Sequence, residues 1–251
     1  MTETAAPKSG TAVHSGGRSR TGAIVRWVGR ILPLLAVLYA VMVGLGLLLA
    51  HPLKGSGFEN AEDNVNESLA NGRTPTMNHI TFWLSELGNT ATIVGLMLLV
   101  AIVLRLVLKR WRESVFVIIA VSCQALVFLL TTLVIDRRRP DVKHLDASPP
   151  TSSFPSGHVG AATALYVSVA LVVLWTARNR VLKVIGDLLL VACPILVAYA
   201  RLYRGMHHPT DIGGSEVNAW SCIAIAAYAT ARTRWRALAN PSGAPAGAQA
   251  R

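Results

Sequence analysis

The sequence predicts an all-α polytopic membrane protein, with six transmembrane helices in one bundle and an active site at its extracytoplasmic end. Three observations carry that prediction. Of the 251 residues, 52% are hydrophobic and only 15% charged, against about 25% charged in a soluble domain. The mean hydropathy is +0.46. Six stretches are apolar over roughly the 20 residues that a helix needs to cross hydrocarbon. Dense charge with little apolar content would mark a disordered or RNA-coating chain, so no nucleic-acid partner is expected. Three cysteines, Cys123, Cys193 and Cys222, all lie in apolar runs, which argues against a disulfide-stapled module.

The expected spans are 31–50, 91–108, 115–135, 157–176, 184–200 and 212–231. The first is longer than the 7–15 residues of a signal-peptide core, so it reads as an uncleaved anchor. The second has no polar face; Arg105, near its end, can snorkel. The fourth and sixth are rich in Gly, Ala and Ser, as in helices that pack closely on neighbours. Residues 1–24 and 237–251 are small and polar with scattered cations, and read as disordered cytoplasmic tails around a single domain, 25–236.

The net charge of +11 fixes the orientation. Five cations precede the first span (Lys8, Arg18, Arg20, Arg26, Arg30). Lys109, Arg110 and Arg112 follow the second, Arg178, Arg180 and Lys183 the fourth, and Arg232, Arg234, Arg236 and Arg251 the sixth. By the positive-inside rule these segments and both termini are cytoplasmic, in a plasma-membrane protein. Trp27, Trp111, Trp175 and Trp235 fall near the same span ends, as an aromatic belt would. The first link, 51–90, sets Lys54 and Arg73 against Glu59, Glu62, Asp63, Glu67 and Glu86, and belongs outside. Its segments 58–69 and 81–87 read either as short amphipathic helices over the site or as plain loop.

Two other outer segments, 136–158 and 200–211, break the charge rule. They hold Arg137, Arg138, Arg139, Lys143, Arg201 and Arg204 on the side that should be nearly empty of cations. Arginine presents a planar fork of donors that matches phosphate oxygens, so an anion site is expected there. Ser156 is placed to begin the fourth span, so that the Gly157 N–H and the positive helix end face outward beside His158. His207 precedes the sixth span, and Asp211, four residues on, can hold its tautomer. Taken singly, Asp211 reads as an acid in a first helical turn, His158 as an interfacial histidine and Arg137–Arg139 as a solvated charge run. Their convergence at the outer ends of three spans is what points to a site.

The pattern Arg139-Pro140, then Pro155-Ser156-Gly157-His158, then Arg201 with His207 and Asp211, resembles the type-2 phosphatidic acid phosphatase superfamily. Its signature is K-x6-RP, PSGH and SR-x5-H-x3-D, and the likeness covers about residues 31–231. Two positions depart: Thr132 stands where the family has Lys, and Ala200 replaces the Ser. Arg137 is the expected substitute for the missing cation. The resemblance implies His207 as nucleophile oriented by Asp211, His158 as acid and base, and Arg139, Arg201, Ser156 and Gly157 as phosphate ligands. It also implies a phosphohistidine intermediate, no cofactor and no metal. The neighbouring His208 has no role in this scheme.

The implied substrate is a lipid phosphate or diphosphate reached from the bilayer, with polyprenyl diphosphate favoured. Phosphatidylglycerol phosphate, phosphatidic acid and transfer to a sugar lipid are the alternatives. A transporter would place ionisable groups near mid-span, but here they cluster at the ends; Asp187, the main exception, lies four residues after Lys183. A catalytically silent scaffold would have no need of His158, His207 and Asp211. Nothing in the sequence sets the oligomeric state.

Overall fold

The computed structural model describes residues 20–148 and 150–231. Its helices are α1 (Arg20–Ala50), α2 (Gly57–Asn71), α3 (Pro75–Glu86), α4 (Thr90–Leu108), α5 (Arg112–Thr132), α6 (Gly157–Thr176), α7 (Arg180–Tyr203) and α8 (Pro209–Ala229). No strand occurs among the described residues. Helix α1 begins at Arg20, so it takes in the last residues of the stretch read as a tail. The tail expectations for 1–19 and 237–251, with Lys8, Arg18, Arg232, Arg234, Trp235, Arg236 and Arg251, lie outside the described residues.

Helices α1, α4, α5, α6 and α7 are long and apolar enough to cross a membrane. Helix α6 is the most buried, with 61% of its apolar stretch inside the protein against 11% for α4. That agrees with its small residues, which let neighbours approach. Its middle, Thr163–Val167, widens into a π turn whose Thr163 hydroxyl donates to Glu216 of α8 at 2.8 Å.

The sixth expected span is α8, which falls short of that apolarity. Glu216 and Asn218 interrupt its run, and Asp211, Ser215 and Asn218 are fully buried. The cause is position: α8 packs against α1, α5 and α6, so its polar face meets protein rather than lipid.

The bundle has two distinct ends. At one, the Trp27 indole donates to Ala229 O at 2.8 Å and Arg112 Nε to Thr230 O at 2.8 Å. The Phe116 and Trp175 rings meet there with centroids 5.4 Å apart. The basic links around Lys109–Arg112 and Arg178–Lys183 belong to this end. At the other end lie α2, α3 and the 133–156 link. Ser56 caps α2 by accepting the Glu59 N–H, and Thr74 caps α3 by accepting the Met77 N–H at 3.2 Å. Pro75 occupies the first turn, where its missing N–H costs nothing. The acidic first link is thus helical in both halves, and α3 starts six residues before the expected 81–87 segment.

The link after α5 is pinned into the bundle by Phe154, only 1% exposed, whose ring lies against Gly214 of α8. A Cβ on Gly214 would sit 2.3 Å from that ring, whereas one on Gly213 would meet nothing within 4 Å. Gly214→Ala is therefore expected to destabilise the protein by about 1–3 kcal/mol through overpacking. Thermal unfolding in detergent, with Gly213→Ala as the unaffected control, checks this.

Candidate active site

The loop that presents His207 is shaped by a helix stop and a helix start. Helix α7 ends in a Schellman arrangement: Met206 N donates to Arg201 O and Gly205 N to Leu202 O, both at 3.0 Å. Gly205 has φ +72°, a conformation that glycine adopts without strain. Pro209 then opens α8. Only Met206, His207 and His208 lie between, so the ring of His207 is held close to both helix ends.

His207 Nδ1 lies 2.8 Å from the carbonyl oxygen of Ser153. A carbonyl can only accept, so Nδ1 carries the proton and Nε2 keeps its lone pair. Asp211 does not touch that ring nitrogen directly; its Oδ2 is 3.8 Å away. The carboxylate instead accepts from the Ser153 hydroxyl at 2.7 Å, from His208 N at 2.8 Å, and from Arg137 Nη1. The expected orientation of His207 by Asp211 therefore runs through Ser153, whose hydroxyl binds one partner and whose carbonyl binds the other. Asp211 is also the first-turn acid of the plainer reading, since it caps His208 N–H; the two roles coexist.

His207 lines a cavity of about 740 Å³, together with His158, Gly157, Arg139 and Arg201. Arg139 is held by one bond, Nη1 to Met206 O at 2.7 Å, and Arg201 by bonds from Nη1 to Ser85 Oγ at 3.0 Å and Asp146 Oδ2 at 2.8 Å. The Nε groups of both arginines and the hydroxyl of Ser156 are buried with no hydrogen-bond partner. Buried donors are rarely left unpaired; Arg139 and Arg201 line the wall where a phosphate would meet them, whereas Ser156 itself is not on that wall. Ser156 begins α6 without capping it through its side chain. Gly157 has a steric reason as well as a polar one, since a Cβ there would lie 2.8 Å from the Phe128 ring. The other side of the cavity is apolar, formed by Ile93 and Val94 of α4 and Val121, Phe128 and Leu129 of α5.

One site expectation is corrected. Arg137 does not replace the missing lysine, because it is not on the cavity wall. Its Nη1 binds Asp211 and Thr210 Oγ1, and its Nη2 binds Glu62 at 2.7 Å. Thr132 donates to Leu129 O at 2.8 Å and brings no charge. The cations of 136–158 and 200–211 also divide differently from the sequence reading. Arg138 pairs with Glu59 and Asp63 of α2, and Arg204 is spent on Asp146, Leu145 O and α3.

Sequence reasoning missed Glu62, Asn66, Ser85, Asp146 and Ser153. The acidic content of the first link was the available signal for Glu62: acids facing a cationic segment across the same surface are natural partners. Asp146 takes Arg201 and Arg204 together, and their hydrogen bonds and charges outweigh burial, which alone would raise its carboxyl, so it stays below the usual range. Among the described residues, no group of three His, Cys, Asp or Glu is arranged to hold a metal ion.

Burial pushes the His207 imidazole down to about 4, with the charges of Arg201 and Arg139 adding to the effect and Asp211 opposing it. A lowered value means that the proton binds only at strongly acidic pH, so the neutral ring prevails from about pH 5 upward. NMR of ¹⁵N-histidine-labelled protein is expected to show one imidazole, absent in His207→Ala, that stays neutral at pH 5.5. An ordinary titration near 6.5 would contradict the burial argument.

Residues 114–235 match the model of the PAP2 superfamily. The fold is shared with the transmembrane PAP2 type phosphatidylglycerolphosphate phosphatase from Bacillus subtilis, at 19% identity and TM-score 0.66, over 76% of this chain and 93% of that one. It is also similar to LpxE from Aquifex aeolicus, at 20% identity and TM-score 0.50, over 64% of this chain and 92% of that one. Comparison with curated proteins found no match. The matched segment contains the PSGH tetrapeptide and the Arg201, His207 and Asp211 set in the geometry just described, and it is over this segment that the chain is similar to the PAP2 superfamily.

Proposed function

We propose that the protein is an integral membrane lipid phosphatase that removes phosphate from a lipid phosphate or diphosphate at the extracytoplasmic surface, by way of a phosphohistidine on His207. The observation that carries this reading is the single cavity that joins a bare His207 Nε2 to two unpaired arginine Nε donors. In the first step the Nε2 lone pair attacks phosphorus and the bond to the lipid oxygen breaks. His158, on the same wall, gives that oxygen its proton. In the second step His158 takes a proton from water, the hydroxide attacks phosphorus, and the P–N electrons return to His207. Arg139, Arg201 and the Gly157 N–H hold the phosphoryl oxygens throughout, with Ser156 behind them at the start of α6.

The apolar side of the cavity, between α4 and α5, supports a lipid rather than a soluble ester, because an acyl or prenyl chain fits there while the phosphate meets the arginines. The polyprenyl diphosphates favoured by the sequence belong to this class. The Bacillus subtilis fold relative, a phosphatidylglycerolphosphate phosphatase, supports phospholipid phosphates equally. The basic links at the opposite end of the bundle support an outward-facing site with both termini inside.

Purified protein is expected to release inorganic phosphate from at least one of polyprenyl diphosphate, phosphatidylglycerol phosphate and phosphatidic acid in the presence of EDTA. His207→Ala should reduce release to background, and His158→Ala should slow it by about 10²–10⁴-fold. Full activity in His207→Ala, or a strict need for a divalent metal, would refute the mechanism.

A further inference from the structure

Helix α2 lies outside the sequence motifs, yet three of its side chains reach the loop that carries the nucleophile. Glu62, 5% exposed, binds Arg137 Nη2 through Oε2 at 2.7 Å. Its Oε1 accepts from Thr210 N at 2.8 Å and from Thr210 Oγ1 at 2.7 Å. Asn66, fully buried, donates from Nδ2 to the carbonyl oxygen of His207 at 3.1 Å. Asp63 lies 3.2 Å from His208 Nε2. Neither Glu62 nor Asn66 is on the cavity wall, so neither touches the substrate.

Resting on the phosphohistidine reading, we propose that Glu62 and Asn66 are positioning residues that make α2 a working part of the catalytic apparatus. Glu62 acts by charge. Arg137 is shared between two carboxylates, Glu62 and Asp211, so the buried trio keeps a net negative charge beside His207. As the P–N bond forms, the imidazole ring becomes cationic, and the Asp211 carboxylate 3.8 Å from Nδ1 stabilises it. Without the charge on Glu62, Arg137 would be balanced by Asp211 alone, and that stabilisation would be largely cancelled. Asn66 acts by geometry. It fixes the His207 main chain while Ser153 holds the ring, and a displacement of about 1 Å at a reacting atom can cost about 100-fold in rate.

The control is built into the same helix. Glu59 pairs with Arg138 at 3.1 Å and anchors α2 to the same link, but this pair does not reach Asp211. Kinetics of phosphate release by the full-length protein in detergent separate a positioning role from simple anchoring. Glu62→Gln is expected to lower kcat by about 100-fold while KM changes by less than about twofold, because substrate contacts are intact. Glu62→Asp, which keeps the charge, should recover most of the loss. Glu59→Gln and Arg138→Ala should stay within about twofold of the parent protein. If Glu62→Gln does not fold, Asn66→Ala carries the test, with the same fall in kcat at unchanged KM.

Parental kcat in a folded Glu62→Gln protein overturns the proposal. So does an equal loss in Glu59→Gln, or a loss expressed in KM alone. His207→Ala measured alongside separates the two levels. If it is active, the phosphohistidine reading falls and this proposal with it. If it is dead while Glu62→Gln is normal, only the positioning role is lost.

Discussion

The site depends on one buried carboxylate. Asp211 has no exposed surface, and it gathers the Arg137 guanidinium, the Ser153 hydroxyl and the His208 N–H around two oxygens. Those three groups come from the start and end of the link after α5 and from the loop before α8, so the carboxylate ties together segments far apart in sequence. Removing one partner of such a buried ion pair typically costs about 3–5 kcal/mol, because the remaining charge is left without solvent. Asp211 therefore serves stability and chemistry with the same contacts. Its hydroxyl donor belongs to the residue whose carbonyl fixes the His207 tautomer.

This arrangement explains why the end of the bundle that holds α2 and α3 carries so many cations. The sequence reading assigned all six to anion binding, but the structure gives the five arginines among them separate tasks. Arg139 and Arg201 keep unpaired Nε donors and line the cavity. Arg137 and Arg138 face the acids of α2, and Arg204 is consumed by Asp146 and the neighbouring backbone. The charge of the first link and that of the link after α5 are thus two halves of one interface.

Membrane helices were legible because hydrocarbon demands about 20 apolar residues and tolerates few exceptions. That criterion found α1, α4, α5, α6 and α7, and it located α8 within three residues at its start. The same criterion is weakest for α8, since a helix shielded by its neighbours can carry Asp211, Ser215 and Asn218 at no cost in exposed polarity. His158, His207, Arg139 and Arg201 were legible from type and spacing, and all four line the cavity. Arg137 was misassigned because a linear sequence does not say which way a guanidinium turns: inward to Glu62 and Asp211, or outward to substrate. Glu62, Asn66 and Ser153 were invisible for a related reason. Their roles arise from contacts spanning 54 to 141 residues, which no local pattern encodes.

The central claim is covalent attachment of phosphorus to His207. Its most direct test is alkaline quenching of the protein during turnover of a lipid phosphate labelled at phosphorus, followed by mapping of the label. The account predicts an alkali-stable, acid-labile adduct on the peptide containing His207, absent from His207→Ala. Label on a hydroxyl or carboxylate side chain, or steady turnover with no labelled His207 under conditions that preserve phosphohistidine, would contradict it.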